Sequence, residues 1–195
     1  IYLDATCGLG GHTGAIARQL AQMGGSGVVI ACDRDAESLA RAQENTADCA
    51  ARIRFHKTKF SLVGETLAAE KIKQLDGLLA DLGVSRYQLT EGGRGFSLMA
   101  DGPLDMRMDR SRGPTAADIV NYESEKQLAD LIYQLGEERR SRQIARAIVR
   151  ARPVTTTGQL AKLIEATAPR TGKIHPATQT FMALRIAVNQ ENEEL

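Results

Sequence analysis

Four stretches of this chain carry residue types that could hold a nucleoside and move a group on it. The first is Asp4-Ala-Thr-Cys-Gly-Leu-Gly-Gly-His12, which follows a short apolar run and opens a helical pattern. Gly8, Gly10 and Gly11 let the backbone bend sharply and approach a ligand without Cβ interference. The second is Asp33, ending the apolar run Val28-Val-Ile-Ala-Cys32. A glycine turn after one strand and a carboxylate ending the next is an arrangement that grips a nucleoside, the turn against its middle and the acid on its ribose hydroxyls. His12 stands where it could donate to a ligand carboxylate at the helix start or satisfy backbone groups there. The third is Phe60, an aromatic face for an adenine or a plain core residue. The fourth is Asp81, which closes the run Leu78-Leu-Ala-Asp81. A carboxylate there could accept N–H bonds from a poorly nucleophilic aromatic amine and help remove its proton; capping the following turn is its plainer use.

The glycine spacing bears on the ligand. Counting from Gly8, the sixth place is Thr13, so the dinucleotide fingerprint fails by one residue, and no Gly-Lys-Ser or Gly-Lys-Thr follows for a P-loop. Asp4 would repel a pyrophosphate and favour a cationic ligand. S-adenosylmethionine, with an adenosine, an ammonium, a sulfonium and no phosphate, suits these features; a ligand-free strand-to-helix turn is the alternative.

The elements that must position these residues alternate in period over the first 82 residues. Strands are expected at 1–5, 28–32, 53–56 and 78–82, and helices at 13–23, 36–51 and 62–72. That order predicts an α/β fold, an open parallel sheet with helices on both faces and ligands beyond the strands' carboxyl ends. Asp4, Asp33, Phe60 and Asp81 all fall at such ends. From Gly83 to Pro114 periodicity vanishes, and so long a loop is usually functional. Helices alone follow, at 116–121, 124–135, 139–152 and 157–168; a loop with Pro169 and Gly172 then leads to a last helix from Thr178 to the end. The expected division is 1–112 for the α/β domain, 113–177 for an inserted helical lobe, and 178–195 for a helix returning to the first domain.

Arg139, Arg142, Arg146 and Arg150 make one stripe of a helix, either a phosphate track or a solvated face. Arg94, Arg107, Arg110 and Arg112 add positive charge to the loop, where Asp101, Asp105 and Asp109 could lock them instead. The net charge of +1 gives no global field for nucleic acid, so only such local clusters could serve. Three cysteines without ligand spacing point to a reducing cytoplasm and to no metal site. No apolar run approaches a membrane span. Ile1 begins inside a strand-like run and Leu195 ends a helical one, so the chain reads as a fragment.

Together these segments resemble the bacterial small-subunit ribosomal RNA methyltransferase H family, also called MraW. The motifs that carry the resemblance are the 4–12 stretch, Asp33-Arg-Asp35, Asp81-Leu-Gly-Val-Ser85, Arg94-Gly-Phe-Ser97 and Asp101-Gly-Pro-Leu-Asp-Met-Arg-Met-Asp109. Gly136-Glu-Glu-Arg139, Ile144-Ala-Arg-Ala-Ile148 and His175-Pro-Ala-Thr-Gln-Thr-Phe181 complete them. The resemblance implies a Rossmann-like class I methyltransferase sheet with an inserted all-helical lobe. It implies methyl transfer from S-adenosylmethionine to the exocyclic N4 amine of a cytidine in the decoding centre of 16S ribosomal RNA. By motif position it implies cofactor contacts from Gly10, Gly11, His12, Asp33, Phe60, Asp81 and Gln88, with Asp81 catalytic. Arg94, Arg107, Arg142 and Arg146 are then candidate RNA contacts, the small ribosomal subunit is the partner, and a homodimer is one admissible assembly. A non-catalytic binder and a small-molecule methyltransferase are the competing readings.

Overall fold

A computed structural model describes residues 1–168 and 174–194. The expected loop at Pro169 and Gly172 lies outside them. Packing divides the chain into two compact units, one of residues 1–85 with Glu194, the other of residues 86–193.

The first unit is an α/β sandwich. Strands β1 (Tyr2–Asp4), β2 (Val29–Asp33), β3 (Ile53–Lys57) and β4 (Gly77–Leu79) form one parallel sheet in the order β3-β2-β1-β4. Strand β2 has a neighbour on each side and is apolar almost throughout, as a strand covered on both faces should be. Alternate side chains feed two cores: Val29 and Ala31 pack with Ala17, Leu39, Ala42 and Ile53, whereas Ile30 and Cys32 pack with Leu3, Ala5 and Val63. Helices α1 (Gly11–Gln22) and α2 (Ala36–Asn45) supply the first core, α3 (Val63–Ala69) the second. Asp35 caps α2, accepting from the N–H groups of Glu37 at 3.0 Å and Ser38 at 3.4 Å.

Two expected spans are shorter. Helix α2 stops at Asn45, where the Thr46 hydroxyl donates to the Ala42 carbonyl at 2.8 Å, and a 3₁₀ segment follows over Ala47–Arg52. Strand β4 ends at Leu79 because its partner β1 ends at Asp4, the residue in register with it. Asp81 therefore stands two residues past the strand rather than closing it.

The second unit is helical: α4 (Arg86–Thr90), α5 (Ala116–Tyr122), α6 (Glu125–Gly136), α7 (Ser141–Ala151), α8 (Thr157–Thr167) and α9 (Thr178–Asn189). Helix α6 packs against both α7 and α9, and α8 packs on α7. Capping boxes start α5 (Thr115 with Asp118), α6 (Ser124 with Gln127) and α8 (Thr156 with Gln159). Helix α7 buries Ser141, Ile144, Ala145 and Ile148, a single stripe at helical spacing. Helix α9 ends at Asn189 with Gln190 left-handed at φ 51°, not at the chain's end as expected.

The loop after residue 85 packs with the helices, so the division falls there and not at 112/113. The N–H of Leu104 donates to the Thr155 carbonyl at 3.0 Å, that of Thr157 to Gly102 at 2.9 Å, and that of Ala117 to Leu104 at 2.7 Å. Gly95, at φ 76°, lets two backbone segments meet, for a Cβ there would lie 2.3 Å from the Pro103 carbonyl oxygen. Helix α9 likewise packs on α5 and α6, within the helical unit, and of the expected 178–195 segment it is Glu194, past the helix, that belongs to the first unit.

Candidate functional site

The glycine loop of the first unit is built by acids that serve backbone. Asp4, at the tip of β1, is wholly buried. It accepts from the Thr13 hydroxyl at 2.6 Å and the Thr6 N–H at 3.2 Å, tying the loop's start to the first turn of α1. The expectation that Asp4 faces a cationic ligand is corrected by this burial: it shapes the loop from behind. Gly10 sits at φ 83° as the residue before α1, where a Cβ would press on Ala42 and Thr46 at 3.1 Å. Nothing stands within 4 Å of the Cβ position at Gly11, and His12 beside it is exposed. The N-cap residue of α1, Gly10, makes no side-chain cap bond.

Asp33, at the tip of β2, joins this loop across the sheet. One of its oxygens accepts from the Gly8 N–H at 2.7 Å and the other from the Asp35 N–H at 2.8 Å. A carboxylate has about four lone-pair directions, so two backbone donors leave it capacity for a diol. Burial pushes the Asp33 carboxyl up from its ordinary range; the Asp35 and Gly8 N–H groups pull against it, and the Asp35 and Asp4 charges reinforce it.

Asp81 is exposed and anchored through its own backbone, its N–H donating to the Thr6 hydroxyl at 2.7 Å. Thr6 thereby links the tip of β1 to the residue proposed for chemistry. Phe60 opens a single 3₁₀ turn, Phe60–Leu62, beyond β3. It is half-buried and leans on the core cluster of Leu3, Ala5, Ile30, Cys32 and Val63, so it serves the core at least in part. Burial is the main cause pushing Cys7, in the loop, and Cys32, on β2, each up to about 12, and the nearby acids add to it.

The structure thus brings Gly10, Gly11, His12, Asp33 and Asp81 together through Asp4, Thr6, Gly8 and Thr13. Thr6 and Thr13 lie inside the recognised motif, yet their bonding could not be read from it. The remaining candidates belong to the second unit. Gln88 is buried on the short helix α4. Arg94 is 2% exposed and donates to the carbonyls of Arg107 and Met108, each at 3.1 Å. Its guanidinium thus serves the framework of the loop. Arg107 forms a fork on Asp105, at 2.7 and 3.0 Å, so the ion-pair alternative holds for that arginine. Asp109 similarly accepts from Ser111 and Arg112. Burial works to raise Asp105, but the Arg107 side chain and N–H, with the Arg107 and Arg110 charges, overcome it and hold the carboxyl below its usual range. Arg139, Arg142, Arg146 and Arg150 are all exposed, and Arg146 meets Glu125 at 3.3 Å.

Comparison with known proteins follows the same lines. A model of the MraW methylase family matches residues 1–195. A ribosomal RNA small subunit methyltransferase H of Solibacter usitatus is 61% identical over the whole chain, which spans 67% of that relative. Proteins of the same name from Acidobacterium capsulatum and Koribacter versatilis are 54% and 48% identical over 97% and 100% of the chain, and it covers 65% and 64% of them. The chain therefore spans about two thirds of the length of these curated relatives.

Proposed function

The chain belongs to the MraW methylase family, and from that premise we propose that it is an S-adenosylmethionine-dependent methyltransferase of small-subunit ribosomal RNA. Its target is the exocyclic N4 amine of a cytidine in the decoding centre, its partner the small ribosomal subunit, and its place of work the cytoplasm. The observation that carries the reading is Asp33 bonded to the Gly8 N–H beside an α1 N-terminus that is open at Gly11 and whose Gly10 makes no side-chain cap bond. A half-open acid suits a ribose diol, and the space at Gly11 suits a ligand carboxylate meeting N–H groups.

S-adenosylmethionine, when bound, supplies an electrophilic methyl group on a sulfonium. Asp33 would hold the ribose, the Gly10–Gly11 backbone and His12 would hold the carboxylate end, and Phe60 would cover the adenine. Asp81 accepts the N–H bonds of the cytosine amine, which raises electron density on the nitrogen, and then takes the proton that the amine loses. Thr6 holds the Asp81 backbone and so fixes the point from which that side chain springs. Arg142 and Arg146, exposed on α7, bind RNA phosphates.

Labelled methyl transfer to small subunits lacking the modification tests the activity. Alongside it, Asp33→Ala is expected to weaken cofactor affinity by calorimetry at least about a hundredfold, with the circular dichroism spectrum preserved. Unchanged affinity, or no transfer by the wild-type protein, would reject the reading.

A further inference from the structure

Glu194 comes 135 residues after Lys59 in the chain, yet it belongs to the first unit by packing. Its side chain is 9% exposed. One carboxylate oxygen accepts from the Lys59 ammonium at 2.6 Å. The other accepts from the Ser61 hydroxyl at 2.7 Å and from the Ser61 N–H at 3.3 Å. All three donors come from the two residues that flank Phe60. The turn Phe60–Leu62 has no side-chain cap from Lys59, so Glu194 supplies one from a distant part of the sequence.

We infer that Glu194 is a positioning residue for the cofactor, holding the Lys59 ammonium on one side of Phe60 and the Ser61 hydroxyl and N–H on the other so that its ring is preset as the adenine platform. The inference rests on the proposed role of Phe60 over the adenine. An aromatic on the 3₁₀ turn that leads into α3, with no side-chain cap from Lys59, would otherwise have to be ordered further when the ligand arrives, at a cost in affinity. The clamp replaces that ordering with bonds already made in the free protein. Burial works to raise Glu194, but Lys59 and Ser61 outweigh it and hold the carboxyl below its usual range, so the clamp stays ionised near neutral pH.

The test is a double-mutant cycle on the intact protein, read by calorimetric titration with S-adenosylmethionine. Glu194→Gln is expected to weaken binding about tenfold and to raise the KM for cofactor, with kcat recovered at saturation. Phe60→Ala is expected to weaken binding by a similar factor. The double variant should be no weaker than Phe60→Ala alone, because a clamp has nothing to position once the ring is gone. Additive losses, or wild-type affinity in Glu194→Gln while Phe60→Ala is impaired, would overturn the clamp alone. Wild-type affinity in Phe60→Ala would overturn the platform reading and the clamp with it. Should Glu194→Gln fail to fold, Ser61→Ala carries the same cycle with an expected loss of roughly threefold.

Discussion

The strand tips of the first unit and the charged loop of the second, residues 94–112, use the same residue types to opposite ends. At the tips Asp33 is bonded to backbone N–H groups alone and keeps lone pairs in reserve. In the loop Asp105 is gripped by the Arg107 fork, and Arg94 is spent on two carbonyls. The consequence is written in the two carboxyls, one pushed up by burial and the other held down by cations. A stretch rich in charge can thus be a closed framework, whereas a single acid among glycines can be the open site. The arginines divide likewise: Arg94 is interior, and Arg142 and Arg146 are exposed.

The largest effect that would sharpen this contrast is on Arg94. Replacing it by alanine leaves one buried and one part-buried carbonyl without their charged donor and is expected to cost about 3 kcal/mol of stability, measured by denaturant unfolding. A loss under about 0.5 kcal/mol would break the contrast, because Arg94 would then be no framework residue. The next is on binding. Arg142→Glu with Arg146→Glu is expected to weaken binding to small subunits roughly tenfold and to flatten its salt dependence, leaving cofactor affinity and melting temperature unchanged. Equal loss of both affinities would make α7 a structural element.

The smallest effect concerns pH. A raised carboxyl such as Asp33 binds its proton more tightly in the folded state, so its penalty grows as pH rises through the aspartate range and is full at neutrality. A lowered one such as Asp105 contributes stability above that range and loses it as pH falls below about 4. Near neutrality Asp33→Asn should therefore stabilise, and Asp105→Asn destabilise. Both differences should fade toward pH 3 in thermal melts. Shifts of the same sign at pH 7 would remove the distinction.

Much of the fold was legible because periodicity records burial. The two faces of β2 and the buried stripe of α7 are visible as residue patterns, and the α/β class followed from their order. The misplaced boundary at β4 has another cause. The run Leu78-Leu-Ala-Asp-Leu82 is apolar enough to extend a strand, but pairing stops where β1 stops, and a partner's length is not encoded in the run itself. The domain boundary was missed similarly: composition changes near 113, while the backbone bonds of Gly102, Leu104 and Asp105 tie the earlier loop to the helices. At the site, the glycines and Asp33 announced themselves by type and spacing. Asp4 was readable as an acid but not as a buried one, and Glu194 carried no local signal at all.

Cys7 gives the loop one more property. With its thiol pushed up to about 12, only about one molecule in 10⁵ carries the sulfur anion at neutral pH. The softest nucleophile in the glycine turn is therefore silenced where an alkylating ligand would be held. Its sulfur works as filler, in the apolar cluster with Ala17, Val29 and Ala31.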